Sequence, residues 1–272
     1  ELRMRFAMPG DTVRFPLAIQ GDPATIAYSW EPVNEGVAPE PARPLTGGRL
    51  TAPAAPGFYR LVLARAGARQ AVPDVALAVM VPFEEKSGGV LDGYRLGIYR
   101  GERAGAGVPT GFVKVDPRAA ALPLSKHFRV RDFLTRDGQQ QWPRFAAVQP
   151  RLIDKLELVI AEVALSRGID PDSVQVRVSV NAGFRSPSYN RTVQRAAKDS
   201  RHQYGDAADI AIDANFDGRF SREDSRLVAD AVERVERAHP ELVGGMGLYL
   251  SSRYSNGYVH IDARGRRARW RG

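Results

Sequence analysis

The chain has 272 residues, 43% of them hydrophobic and 26% charged, which suits about two domains with real cores and excludes wholesale disorder. It contains no cysteine, so disulfides, thiolate catalysis and cysteine-ligated zinc or iron–sulfur sites are excluded, and any metal must be held by His, Asp, Glu or backbone oxygen. The net charge of +8 is concentrated, because Arg264, Arg266, Arg267, Arg269 and Arg271 fall in the last nine residues without an acid and the rest carries only +3, which excludes a broadly basic nucleic-acid surface.

That arginine tail reads as a solvated terminus, with contact to phosphates or anionic polymers as its rival reading. No apolar run approaches the ~18–20 residues of a membrane span. The first residue is Glu1, and a leader removed before it is the corresponding expectation.

Residues 1 to 84 alternate short β-type runs, such as Thr12–Leu17 and Tyr59–Leu63, with Pro and Gly clusters, the spacing of a small all-β, sandwich-like accessory domain. No titratable groups cluster there, so it reads as a spacer or as a module docking to the wall or to another protein. Residues 85 to 120 hold two strand-like runs, Tyr94–Tyr99 and Gly111–Val115, joined by the Gly-rich stretch 101–107; the pattern predicts a β-hairpin linker.

From residue 121 onward the pattern predicts an α+β domain. Leu152, Leu156, Val159 and Val163 form one face of a helix over 151–167, stopped by Gly168. A strand is predicted over 174–180, a helix over 188–198 and a strand over 207–212. Ser221 caps a helix running to about Ala238, with Leu227, Val228, Ala231, Val232 and Val235 on one face, and strands over 246–250 and 258–262 follow.

Only four histidines occur. His202 lies seven residues before Asp209 in a small-residue turn leading into a strand, and His260 lies within a strand. Two imidazoles and one carboxylate make a three-ligand set that leaves a fourth tetrahedral position for water, the requirement of hydrolytic zinc. His127 and His239 read as structural, the first packing near the domain junction and the second suiting a helix C-terminus.

Three ordered blocks carry a family resemblance: Gly183-Phe184-Arg185-Ser186-Pro187-Ser188-Tyr189-Asn190, then Ser200-Arg201-His202 through Asp209, then Tyr258-Val259-His260-Ile261-Asp262. They resemble the M15 group of zinc D,D-carboxypeptidases and peptidoglycan endopeptidases, especially its M15_3 branch. The resemblance spans residues 121–272, with Leu124–Phe128 and Arg269-Trp270 resembling that domain's start and end. It implies an M15/hedgehog-like zinc peptidase domain with His202, Asp209 and His260 as zinc ligands. It further implies that Arg185 holds or polarises a substrate carbonyl or carboxylate and that Ser186 and Tyr189 shape the pocket.

Many M15 enzymes place a Glu or Asp general base three residues before the second zinc histidine, where this chain has Gly257. Asp262 shares a strand face with His260 and could orient that ligand or serve as base, the former being favoured; Asp206 is the other nearby carboxylate.

A second metal pattern follows. Asp213, Asn215, Asp217, Ser221 and Asp224 stand at positions 1, 3, 5, 9 and 12 of a loop with Gly218 at 6, and Arg219 would add its carbonyl from position 7. That spacing predicts a structural Ca²⁺ site, against an Asx-rich turn that only caps the next helix.

The leading sequence reading is a zinc metallopeptidase, periplasmic or otherwise extracytoplasmic, with lipoprotein anchoring before processing as one expectation, cleaving peptidoglycan stem or cross-link peptides as a D,D-carboxypeptidase or endopeptidase. It predicts no nucleic-acid partner. The rival is a non-catalytic peptidoglycan-binding or calcium-dependent scaffold that keeps the metal fold.

Overall fold

In a computed structural model of the chain, the structure describes residues 4–15, 18, 22–105, 107–250 and 257–272. The chain divides into two compact units that interleave along the sequence. The first comprises residues 1–96, 107–131 and 138–146, and the second comprises residues 97–106, 132–137 and 147–272. The boundaries expected at 84 and 120 are therefore not where the chain changes unit, and Leu124–Phe128, expected to open the peptidase domain, falls in the first.

The first unit is built mainly of strands. A five-stranded sheet runs in the order Met4–Ala7, Ala68–Val79, Gly57–Arg65, Ala27–Pro32, Arg43–Pro44, and a two-stranded ribbon pairs Thr12–Val13 with Leu50–Thr51. Alternation along Ala27–Pro32 buries Tyr28 and Trp30. Trp30 Nε1 donates to the Thr51 carbonyl at 2.8 Å, and the Thr51 amide donates to the Tyr28 hydroxyl at 2.8 Å. The ribbon is thus tied to the sheet by the polar edges of two core aromatics, which need partners when buried. Leu61 and Leu77 complete this core from neighbouring strands.

The hairpin expected between 94–99 and 111–115 does not form. Tyr94–Arg95 pairs with Val90–Leu91, and Gly111–Val115 pairs with Arg144–Ala146 on one edge and Val81–Pro82 on the other. The intervening stretch is long and contains a 3₁₀ turn at Glu102–Ala104, so it does not act as a tight hairpin connection.

The second unit contains a five-stranded sheet in the order Val178–Ala182, Ala207–Ile212, Tyr258–Asp262, Gly245–Tyr249, Ala268–Arg271, antiparallel except for the last pair. Helices Pro150–Leu165 and Arg222–Ala238 pack on each other and against this sheet through Leu152, Leu156, Val159 and Val163 of one and Val228, Ala231, Val232 and Val235 of the other. Because strand side chains alternate, Ala208, Ile210, Val259 and Ile261 share one face, and Asp209, His260 and Asp262 share the opposite one.

Two expected elements shift. The strand predicted over 174–180 runs instead from Val178 to Ala182, the stretch that pairs with Ala207–Ile212. The helix predicted over 188–198 is only Pro187–Asn190. Arg195 adopts φ +59°, a left-handed conformation no helix interior accepts, and Asn190 Nδ2 donates to the Ala197 carbonyl across the resulting turns.

The arginine tail is also not a solvated terminus. Ala268–Arg271 is an edge strand parallel to Gly245–Tyr249, and Arg264, Arg267 and Arg269 pair with Asp262, Glu233 and Glu233 plus Glu236. Three of the five arginines that suggested a free basic tail are thus engaged in internal charge pairing.

Candidate metal centre

The site is assembled by strand register and one tight turn. Asp209 and His260 are direct cross-strand partners, which places their side chains together on the sheet face opposite the helices. His202 arrives from the 3₁₀ turn Arg201–Tyr204, which ends at Gly205 with φ +71°. A Cβ there would also lie 2.3 Å from the Ala147 carbonyl oxygen, so both conformation and space require glycine between His202 and the Asp209 strand.

On the other edge, Asn181 and Ala182 form a bulge opposite Asp209, where the register shifts between Val180 and Ala182. The bulge turns the chain so that the Gly183 carbonyl and the Arg185 side chain reach the site, a common use of bulges beside functional centres. Hydrogen bonds from the Phe184 amide to the Phe133 carbonyl (3.1 Å), from the Arg185 amide to the His202 carbonyl (3.1 Å) and from the Ser186 amide to Thr135 Oγ1 (3.0 Å) hold this segment.

The two imidazoles present opposite nitrogens. His202 Nδ1 lies 2.7 Å from the Gly183 carbonyl, which can only accept, so Nδ1 carries the proton and Nε2 offers its lone pair. His260 Nε2 lies 3.3 Å from Asp262 Oδ2, and Nδ1 faces inward. The inward atoms converge with Asp209 Oδ1. Distances are 3.2 Å from His202 Nε2 to Asp209 Oδ1, 2.8 Å from His260 Nδ1 to Asp209 Oδ1, and 3.1 Å between the two nitrogens. Four ligands at zinc distances of ~2.0–2.1 Å in tetrahedral array stand about 3.3 Å apart, so these three fit a zinc ion with little movement. Among the described residues, His202, Asp209 and His260 are the group of three found to bring ligand atoms this close.

Electrostatics favours a cation here. Burial lowers the His202 pKa, with Asp209 only partly opposing it, so this imidazole is neutral. Burial also disfavours charged His260, but hydrogen bonds to Asp209 and Asp262 outweigh it and raise that pKa. For Asp209 burial acts upward, yet the two imidazoles hold the carboxyl well below the usual carboxylate range.

The other expected site residues take distinct places. Arg185 pairs its guanidinium with Asp209 Oδ2, the oxygen not facing the imidazoles, and is partly accessible. Ser186 is fully buried and its Oγ accepts from the Tyr189 amide at 3.2 Å, so it caps the short helix after Arg185; Tyr189 is half-buried. Asp262 is fully buried behind His260, where Arg264 Nε reaches both carboxylate oxygens at 2.9 Å and the Gly245 amide donates at 2.7 Å. It faces the outer nitrogen of His260, not the space between the two imidazoles and Asp209. Asp206 is held by both oxygens by Arg201 Nε at 3.0 Å. His127 is half-buried, and His239 ends its helix with Nδ1 3.3 Å from Glu241.

Aromatic side chains beside the centre carried no sequence expectation. The Trp270 ring lies 5.1 Å from the His260 ring, and Trp270 Nε1 donates to the Tyr249 hydroxyl at 3.0 Å. Tyr249 stacks on Tyr258 at 4.5 Å, and burial together with the Asp209 charge pushes the Tyr258 hydroxyl up to about 12. The available signal was the strand alternation that sets Tyr258 and His260 on one face.

The Asp213 loop adopts the capping arrangement. Asp213 accepts from the amides of Asp217 (3.1 Å) and Gly218 (2.8 Å), and Asp224 Oδ1 accepts from those of Ala214 (2.8 Å) and Asn215 (3.0 Å). Ser221 and Asp224 form a reciprocal capping box at the start of helix Arg222–Ala238. The oxygens of Asn215 and Asp217 likewise accept loop amides, and nothing observed at Arg219 or elsewhere in the loop supports calcium.

Residues 171–262 match the family model described as Peptidase M15, in its M15_3 form. This segment is similar to the M15 peptidases. It contains all three members of the metal centre together with Arg185 and Asp262, and it is shorter than the span 121–272 over which the sequence resemblance was read. Among solved structures, that of the Serratia marcescens L-Ala D-Glu endopeptidase ChiX is similar at 22% identity and a TM-score of 0.30, over 43% of this chain and 80% of that one. No curated protein matches the chain. No helix among the described residues is long and apolar enough to cross a membrane.

Proposed function

We propose that the chain is a zinc-dependent peptidase acting on stem or cross-link peptides of bacterial peptidoglycan. The observation that carries the reading is the convergence of His202 Nε2, Asp209 Oδ1 and His260 Nδ1, each outer nitrogen anchored, within a segment of M15 type. Bound there, Zn²⁺ would supply Lewis-acid polarisation of an amide carbonyl and a coordinated water of pKa near ~7.

The chain's own residues do the rest. Gly183 and Asp262 keep the two imidazoles in the tautomers that aim lone pairs inward, as anchored outer nitrogens do at metal centres. Arg185 fixes Asp209 through Oδ2, and its remaining N–H donors serve to bind a substrate carbonyl or carboxylate. Tyr258, Tyr249 and Trp270 form an aromatic wall beside His260. With Gly257 where many M15 enzymes carry an acid, and with Asp262 and Asp206 each held by an arginine, no carboxylate among these takes the proton of the attacking water.

In this reading the enzyme works outside the cytoplasm, where peptidoglycan is found, and the N-terminal β unit serves to dock it to the wall or to another protein. D,D-carboxypeptidase and endopeptidase action are both within the reading, and products distinguish them. Purified muropeptides incubated with wild type and with His202→Ala test it. Cleavage by wild type and its loss in the variant are expected. No product from wild type would refute the peptidase and leave a non-catalytic wall-binding protein as the reading.

A further inference from the structure

Behind the metal centre lies a buried ion pair that the proposed chemistry does not use. Lys155, from the middle of helix Pro150–Leu165, is wholly inaccessible, and its Nζ donates to Glu236 Oε1 at 2.6 Å and to the backbone carbonyl of Asp262 at 2.7 Å. Glu236, from helix Arg222–Ala238, accepts the Gly244 amide on the same oxygen at 3.0 Å and pairs through its other oxygen with Arg269. Arg269 Nη1 returns to the Gly244 carbonyl at 2.7 Å.

Both ends of this cluster bear on one residue. Lys155 holds the main chain of Asp262, while Glu236 and Arg269 grip Gly244, at the entry to strand Gly245–Tyr249, and the next amide, that of Gly245, donates to Asp262 Oδ1 at 2.7 Å. The approach is too close for any side chain. A Cβ on Gly244 would lie 1.9 Å from the Asp262 carbonyl oxygen, and one on Gly245 would lie 2.2 Å from Asp262 Oδ2. Asp262 in turn receives His260 Nε2 at 3.3 Å.

A buried ion pair is costly to desolvate, and packed hydrophobic residues of similar volume often replace one without loss of stability. A lysine and a glutamate from two helices that meet at the carboxylate behind a candidate metal ligand therefore call for a role other than stability. We propose that Lys155 and Glu236 are positioning residues for the metal centre: they lock Asp262 so that its carboxylate fixes the tautomer and ring orientation of His260. The inference rests on the zinc reading above.

Zinc affinity, measured by competition with a chromophoric chelator, tests it in the full chain. The double variant Lys155→Met/Glu236→Gln keeps volume and leaves neither partner as an unpaired buried charge. Its metal-free thermal unfolding should stay cooperative while zinc binds about 10–100-fold more weakly, the range seen when groups behind metal ligands are removed. Glu236→Asp keeps both charges, shortens the reach to Gly244 and should also weaken zinc binding; it decides the matter if the double variant fails to fold. Wild-type zinc affinity in a folded double variant, or in Glu236→Asp should the double variant not fold, would overturn the inference and leave the zinc reading intact. A wild-type chain that binds no zinc would overturn both.

Discussion

At the scale of single residues, His260 connects the inner and outer parts of the site. Its Nδ1 faces Asp209 and His202, and its Nε2 faces Asp262. Metal binding requires a neutral imidazole, so lowering the pH through the raised His260 pKa must weaken it. Zinc affinity is expected to start falling above pH ~6.5 on acidification, before the lowered pKa of His202 contributes. A chelator-competition series across this range checks the onset, and an affinity flat down to about pH 5 would contradict it.

Arg185 makes a second residue-scale case. Its pairing with Asp209 Oδ2 leaves only a planar, multi-donor side chain able to hold that carboxylate and still face a substrate. Arg185→Ala is expected to lower kcat about 10²-fold or more, and Arg185→Lys to recover little of it. Steady-state rates on a muropeptide substrate read this directly; full activity in the lysine variant would show that charge alone suffices. The candidate donor set His202, Asp209 and His260 was legible in the sequence from its M15-like blocks, in a cysteine-free chain with only four histidines. The partner of Arg185 was not legible, because it depends on a bulge and on cross-strand register.

At the scale of elements, the long helices were legible from their apolar spacing, and the strands around Asp209 and His260 from alternation. The short helix after Ser186 was not, since the left-handed conformation at Arg195 and the turns closed by Asn190 on Ala197 leave no trace in residue propensities. The Asp213 loop shows the same limit. Oxygen spacing suited to calcium and oxygen spacing suited to a capped turn coincide, and here side-chain oxygens serve the loop's own amides and the helix start. Removing the cap by Ser221→Ala is expected to destabilise the chain by about 1 kcal/mol in denaturant unfolding. No change in midpoint or slope would show that Asp224 alone sustains the helix start.

The strand entry at Gly244–Gly245 is a stricter element. Gly245→Ala sets a methyl 2.2 Å from Asp262 Oδ2, against a buried carboxylate held in place by Arg264. Its expected effects are a lowered melting temperature and weakened zinc binding together, measurable on one preparation. An unchanged melting temperature would mean that the strand entry opens at little cost.

At the scale of the molecule, the second unit draws on three separated stretches of chain. Sequence composition located its bulk but not its borders, because residues 97–106 and 132–137 join it through contacts distant in sequence. Phe133 and Thr135 bind the segment leading to Arg185, and a Cβ on Gly97, whose φ is +93°, would lie 2.6 Å from the Ser188 amide nitrogen. A fragment spanning 147–272 therefore loses both supports. It is expected to melt well below the full chain by circular dichroism, or not to fold, and equal melting would show that the supports are dispensable.

The central claim concerns peptide hydrolysis that depends on a metal held by His202, Asp209 and His260. Its most direct test is muropeptide cleavage by one preparation measured before chelation, after removal of the metal, and after return of stoichiometric zinc. The account predicts cleavage, loss and recovery, with no recovery in His260→Ala. Cleavage that persists after the metal is stripped would contradict it.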